Sequence, residues 1–145
     1  IREILNAKPK VSKTNIGAAI SQFIKLQHQR CTCFLLSDFQ DNTYCMPLRI
    51  MSKIHDVIGI KFNDGYEANF PKLGLMELKN IETGMWELVD TSSLKWQNDQ
   101  KIEFEAIHQN AINCFNQSNS DLLQIDIGKP YLPLLKKFFQ KRHSA

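Results

Sequence analysis

Apolar positions along this chain fall into two rhythms. Between 16 and 27, Ile16, Ala19, Ile20, Phe23, Ile24 and Gln27 recur every three or four residues. That is the spacing of one helix face, and Thr14 or Asn15 is placed to cap it. Cys31-Thr32-Cys33-Phe34-Leu35-Leu36 then runs on with almost no polar alternation and ends in Ser37-Asp38-Phe39, as a strand covered on both faces of a parallel sheet does. A loop over 40–44 and a short helix follow, with Pro47 near its first turn and Leu48, Met51 and Ile54 inward. They lead to a second strand, Val57-Ile58-Gly59-Ile60-Lys61-Phe62. Strand, helix, strand is the βαβ unit, whose crossover is right-handed in nearly all proteins.

The stretch 63–71 is polar and turn-rich, and two short strands at 75–78 and 85–89 flank Ile81-Glu82-Thr83-Gly84. This spacing predicts a hairpin, with Gly84 taking a positive φ. Trp86 and Leu88 alternate on one hairpin face and are expected to cover the sheet. Asp90-Thr91-Ser92-Ser93 supplies caps for a long helix to about Phe115, with Ile102, Ala106, Ile107, Ala111, Cys114 and Phe115 as its buried stripe. Trp96, near its start among polar residues, is a candidate exposed contact. A third core strand over 122–127 precedes a last helix from Pro130, with Leu134, Leu135, Phe138 and Phe139 inward and Lys136, Lys137, Lys141 and Arg142 on its outer face.

These elements predict an α/β fold in three layers: parallel strands in the order first, second, third, helices on both faces, and a hairpin appended after the second strand. The first strand is the most apolar, and such a strand belongs inside a sheet rather than at its edge. The chain opens Ile1-Arg2-Glu3-Ile4-Leu5, apolar at helical spacing and without a methionine, before a polar loop over 8–13. Together these features read as a cut inside a helix, with further strands expected before Ile1 and self-association expected through the open edge.

Composition narrows the class. A chain of 145 residues, 43% apolar and 23% charged, is of ordinary one-domain kind. No apolar run approaches the ~20 residues of a membrane span. The net charge of +3 is spread along the chain and does not call for nucleic acid. The four cysteines, Cys31, Cys33, Cys45 and Cys114, lack paired CxxC spacing. With no signal-peptide pattern, they are expected to be reduced thiols in the cytoplasm. Cys31-x-Cys33 alone offers a metal only two ligands on one strand face.

In an open parallel sheet, ligands gather at the carboxyl ends of the strands. Asp38 stands at such an end, and Thr14, at the start of a helix running back along the sheet, lies on the same side. A carboxylate and a hydroxyl there are hard oxygen ligands suited to magnesium, manganese or calcium, although an Asp after a strand also serves as a turn residue and a Thr before a helix as a cap. Asp38 is alternatively the phosphoacceptor of a receiver-like signalling domain, which needs an acidic pair on an earlier strand and a lysine after a later one. An uncharacterised hydrolase is a further alternative; the serines lack the G-x-S-x-G elbow, no glycine-rich phosphate loop occurs, and His28, His55, His108 and His143 fall at helix ends or faces.

Ser12-Lys13-Thr14-Asn15-Ile16-Gly17, Phe34-Leu35-Leu36-Ser37-Asp38-Phe39, Pro47-Leu48-Arg49, His55-Asp56-Val57-Ile58, Gly74-Leu75-Met76-Glu77-Leu78, Glu82-Thr83-Gly84 and Val89-Asp90-Thr91-Ser92-Ser93 resemble, in order and spacing, the C-terminal half of a bacterial family. It is number fifty-eight among the domains of unknown function. The closing segment, from Asp121-Leu122-Leu123 to Phe138-Phe139, is similar to that family's ending. The resemblance implies a von Willebrand factor A-like, Rossmann-like half domain over residues 1–145, lacking the N-terminal strands and their DxSxS segment. It implies a non-catalytic protein-interaction module, with a MoxR-type AAA+ ATPase as partner. It also implies that Thr14 and Asp38 match the threonine and the later aspartate of a metal-ion-dependent adhesion site. Magnesium would then belong to the intact protein, and this chain, with two of the ligands, is expected to hold little or none.

Overall fold

The computed structural model describes residues 14–79 and 84–143. The expected opening helical segment, the loop at 8–13 and residues 80–83 of the hairpin connection lie outside them. Among the described residues ten elements follow one another: α1 (Ile16–Leu26), β1 (Thr32–Ser37), α2 (Cys45–Met51), β2 (Asp56–Asn63), α3 (Gly65–Ala68), β3 (Leu75–Lys79), β4 (Trp86–Asp90), α4 (Leu94–Gln117), β5 (Asp121–Asp126) and α5 (Leu132–His143). β1, β2 and β5 form a parallel sheet in that order, and β3 pairs antiparallel with β4 as a separate hairpin. The fold is α/β, as the sequence pattern predicts, and Rossmann-like, as the resemblance implies. No helix among the described residues is long and apolar enough to cross a membrane.

Strand parity divides the core. Cys33 and Leu35 of β1, Val57 and Gly59 of β2 and Leu122 of β5 share one face through the register Cys33↔Val57, Leu35↔Gly59 and Gly59↔Leu122. Onto it pack Ile16 and Ile20 of α1, Leu48 and Met51 of α2, and Ala111, Cys114 and Phe115 of α4, with Phe39 and Tyr44 between them. Cys45 and Cys114 are joined in a disulfide with Cα atoms 5.1 Å apart. This corrects the expectation of four reduced thiols: α2 and α4 cross closely enough on this face for their sulfurs to meet, whereas Cys31 and Cys33 are free.

The opposite face carries Phe34, Leu36, Ile58, Ile60, Leu123 and Ile125, and α5 lies against it. Phe34 and Phe139 meet at 6.3 Å between ring centroids. Arg142 reaches the strand ends, donating at 2.6 Å to Asp56 and 2.7 Å to Asp121. Arg142 is therefore turned inward, against expectation, because two carboxylates converge on it from adjacent parallel strands. No residue of α5 is fully buried; Leu134 and Phe139 stay exposed, and Leu135 and Phe138 are half-buried.

Other departures have simple causes. α4 has 24 residues, hence a length of about 36 Å, and overruns strands of about 20 Å. Its expected stripe is buried only from Ala111 to Phe115, while Ile102 and Ala106 face solvent. Helix α2 stops at Met51, so Ile54 falls in a turn and is exposed. The hairpin is its own sheet, so Trp86 and Leu88 are exposed rather than covering the parallel strands; Lys79 lies over the Trp86 ring at 5.6 Å. Trp96 is half-buried, edge-on to Phe70 at 5.2 Å, and is not an exposed contact. Fully buried Thr91 ties the hairpin base, donating to the Gly74 carbonyl at 2.8 Å and accepting from the Leu73 N–H at 2.9 Å. Gly84 takes φ 71, as its place in the hairpin requires.

β1 pairs with β2 alone among the described strands, so the most apolar strand lies at the edge of the described sheet. Phe34 and Leu36 on it remain exposed.

Candidate functional site at the carboxyl ends of the strands

The turn after β1 is built by a side chain in an unusual conformation. Phe39 has φ 58, a left-handed geometry uncommon for a bulky residue. Its ring is completely buried between Tyr44 and Phe115, at 5.3 Å from each, and that burial compensates for the strain. Turning Phe39 inward leaves its neighbour Asp38 exposed. The Asp38 carboxylate accepts from the Ser37 hydroxyl at 3.2 Å and from the Gln40 N–H at 3.3 Å. Ser37 in turn accepts from the Phe39 N–H at 3.1 Å. From β2, buried Lys61 passes beside the Phe104 ring and donates to the Asp38 carbonyl at 2.9 Å.

A few residues on, the same loop clasps the start of α1. Asp41 accepts from the Ile16 N–H and from the Thr43 hydroxyl, both at 2.6 Å. Thr43 accepts from the Gly17 N–H at 3.1 Å, and Asn15 caps the Ala18 N–H at 2.7 Å. Three N–H groups that an α-helix leaves without internal partners are thus satisfied. The close approach requires glycine: a Cβ at Gly17 would lie 2.4 Å from the Thr43 carbonyl oxygen. Of the two cap candidates, Asn15 is the cap, and Thr14 is left exposed just before it.

Burial pushes the Asp41 carboxyl up, but hydrogen bonds from the Thr43 hydroxyl and from the Thr43, Ile16 and Gly17 N–H groups outweigh it and hold the group below its ordinary value of 3.8. A carboxyl depressed on folding gives stability that is complete above its unfolded value, about 3.9, and lost as pH falls through the folded value. Asp41→Asn is expected to flatten the loss of stability below about pH 4, measured by thermal unfolding across an acid series. An unchanged acid slope would mean that the carboxylate does not hold the clasp. Tyr44, beside it, has its phenol pushed up to about 12 by burial and by the charge of Asp41.

At the carboxyl-end rim of the sheet, Asp38 precedes the loop that clasps α1 and Thr14 precedes the clasped helix; both are exposed, with no hydrogen bond between them. A cleft of about 530 Å³ opens beside the rim, lined among others by Gln40, Lys61, Asp64, Tyr66 and Phe104. Sequence reasoning found Thr14, Asn15 and Asp38 but missed Asp41, Thr43 and Lys61. The signal for Lys61 was a lone cation inside an apolar strand run. Asp41-x-Thr43 gave a weaker signal, since such residues are ordinary in loops.

The family model described as "Protein of unknown function DUF58" matches residues 1–109. The chain belongs to this family. The match takes in Thr14, Asp38, the clasp and Lys61 and stops within α4, so it does not reach β5 or α5, and the expected likeness of the closing segment to the family's ending lies outside it. No curated protein and no solved structure matches the chain.

Proposed function

We propose that this DUF58 chain is a non-catalytic, cytoplasmic protein-binding module of von Willebrand factor A-like type. It docks a MoxR-type AAA+ ATPase at the rim carrying Thr14 and Asp38. The observation that carries this reading is an exposed carboxylate on a fixed base: Asp38 is held through its carbonyl by Lys61 and flanked by the buried ring of Phe39. A charge presented rigidly suits recognition because little ordering entropy is lost when a partner binds.

The two side chains fit part of a magnesium shell. Both are hard oxygen donors and both face solvent, but two ligands hold such an ion weakly, and the Lys61 ammonium lies 2.9 Å from the Asp38 carbonyl. A divalent cation would be held by Thr14 and Asp38 only together with ligands from elsewhere, and it would let an acidic residue of the partner complete its coordination. For the chain alone, magnesium titration is expected to show no ordered ion at these residues at millimolar concentration. Among the described residues no strand pairs with the outer edge of β1, and Phe34 and Leu36 on it are exposed; this supports self-association, and a stable monomer in light scattering would contradict it.

The test of the docking reading is retention of the chain on an immobilised MoxR-type ATPase with magnesium present. Wild-type chain is expected to be retained, and Asp38→Ala to bind at least about tenfold more weakly, the scale of one lost charge-assisted contact. Equal retention of both would rule out the Asp38-centred surface.

A further inference from the structure

The opposite end of the sheet holds a cluster that the rim does not use. Cys31 and Cys33, two apart on an extended segment, point to one face, and the register Thr32↔Asp56 sets His55 beside Cys31. The Asp56 N–H donates to the Cys31 carbonyl at 3.0 Å, fixing that juxtaposition. Cys31 Sγ lies 3.4 Å from Cys33 Sγ and 3.5 Å from His55 Nδ1. All three ligand atoms fall within 4.8 Å of one another.

We propose that Cys31, Cys33 and His55 form a zinc site, with a fourth coordination position open to the groove between α1 and the edge of β1. Metal–sulfur bonds of about 2.3 Å and metal–nitrogen bonds of about 2.0 Å in a tetrahedron place sulfurs about 3.8 Å apart and sulfur and nitrogen about 3.5 Å apart. The cysteine pair need open by only a few tenths of an ångström. Two thiolates and a neutral imidazole balance the charge of Zn²⁺, which suits a pocket where Cys33 is 7% and His55 3% exposed. The His55 ring is held edge-on to Phe23 at 5.4 Å between centroids, with Nδ1 turned to the Cys31 sulfur. Access is present, since a groove of about 610 Å³ reaches Cys31 and Cys33 past Phe23 and Gln27.

Burial, with the Cys31 side chain alongside, pushes the Cys33 thiol up to about 12, so a metal ion must compete with a proton at Cys33. Binding Zn²⁺ forms two Zn–S bonds and one Zn–N bond and releases the two thiol protons to solvent.

The test is titration of the purified chain with Co²⁺ and with Zn²⁺ alone, under a phosphine reductant that keeps Cys31 and Cys33 as thiols. One equivalent of Co²⁺ is expected to bind with thiolate-to-metal charge-transfer bands, displaced by Zn²⁺. Cys33→Ser and His55→Gln are expected to weaken binding by more than about 100-fold, beyond the loss seen for groups that merely orient a ligand. Thermal unfolding of each variant without metal identifies any that fails to fold. Asp38→Ala and the double variant Cys45→Ser with Cys114→Ser are expected to bind as wild type does. A folded, reduced wild-type chain that takes up neither ion would overturn the proposal, as would an unchanged cobalt spectrum in His55→Gln.

Discussion

Replacing Gly59 by alanine lowers the unfolding free energy by about 2–3 kcal/mol, the scale of overpacking a filled core. Gly59 lies in β2, the strand with a neighbour on each side. An added Cβ would stand 2.3 Å from Phe115 Cζ, 2.5 Å from its Cε1 and 2.9 Å from Leu122 Cδ1. Phe115 has nowhere to retreat, being fully buried with its ring edge-on to Phe39. Any shift of Phe115 is passed to Phe39 and so to the left-handed turn that presents Asp38. Urea unfolding followed by circular dichroism measures the loss. Phe115→Leu in the Gly59→Ala background is expected to recover part of it, because a shorter side chain admits the methyl group. An unchanged denaturation midpoint for Gly59→Ala would refute this packing.

Lys61→Ala is expected to cost about 2–3 kcal/mol, and Lys61→Met about 1–2 kcal/mol. Alanine removes both the aliphatic stem beside Phe104 and the ammonium that donates to the Asp38 carbonyl; methionine keeps a stem and removes the ammonium with its polar interactions. Lys61 is 1% exposed, so the abandoned carbonyl loses a buried donor that water replaces poorly. The two variants separate stability from positioning. Both are expected to speed amide exchange at Phe39 and Gln40, while Met keeps most of the core. If exchange there stays slow in both, Lys61 does not brace the rim.

Sequence periodicity made much of the fold legible. Ile16, Ile20 and Phe23 announced α1, the unbroken run from Cys31 to Leu36 announced a parallel strand, and the order β1-β2-β5 followed from the βαβ spacing. What escaped was decided by relations between distant residues. That Arg142 turns inward depends on Asp56 and Asp121 meeting across a parallel register, which no local pattern displays. The Cys45–Cys114 disulfide joins residues 69 apart in sequence, brought together by a helix crossing. Trp86 and Leu88 alternate as a covering face would, but alternation gives no partner, and the hairpin forms a sheet of its own.

The rule that ligands gather at strand ends singles out Asp38 and Thr14 as candidates. Asp41 and Thr43 matter only because their loop folds back onto α1. His55 reads as a histidine at a helix end or face until the register sets it beside Cys31, so in the sequence the cysteine pair offers a metal only two ligands.

Hydrogen–deuterium exchange of the chain with and without a MoxR-type ATPase tests the docking surface most directly. Binding at the rim predicts slowed exchange over residues 14–18 and 37–44, with the hairpin strands β3 and β4 unchanged. Protection confined to the hairpin or to α5, with the rim exchanging as in the free chain, would contradict it.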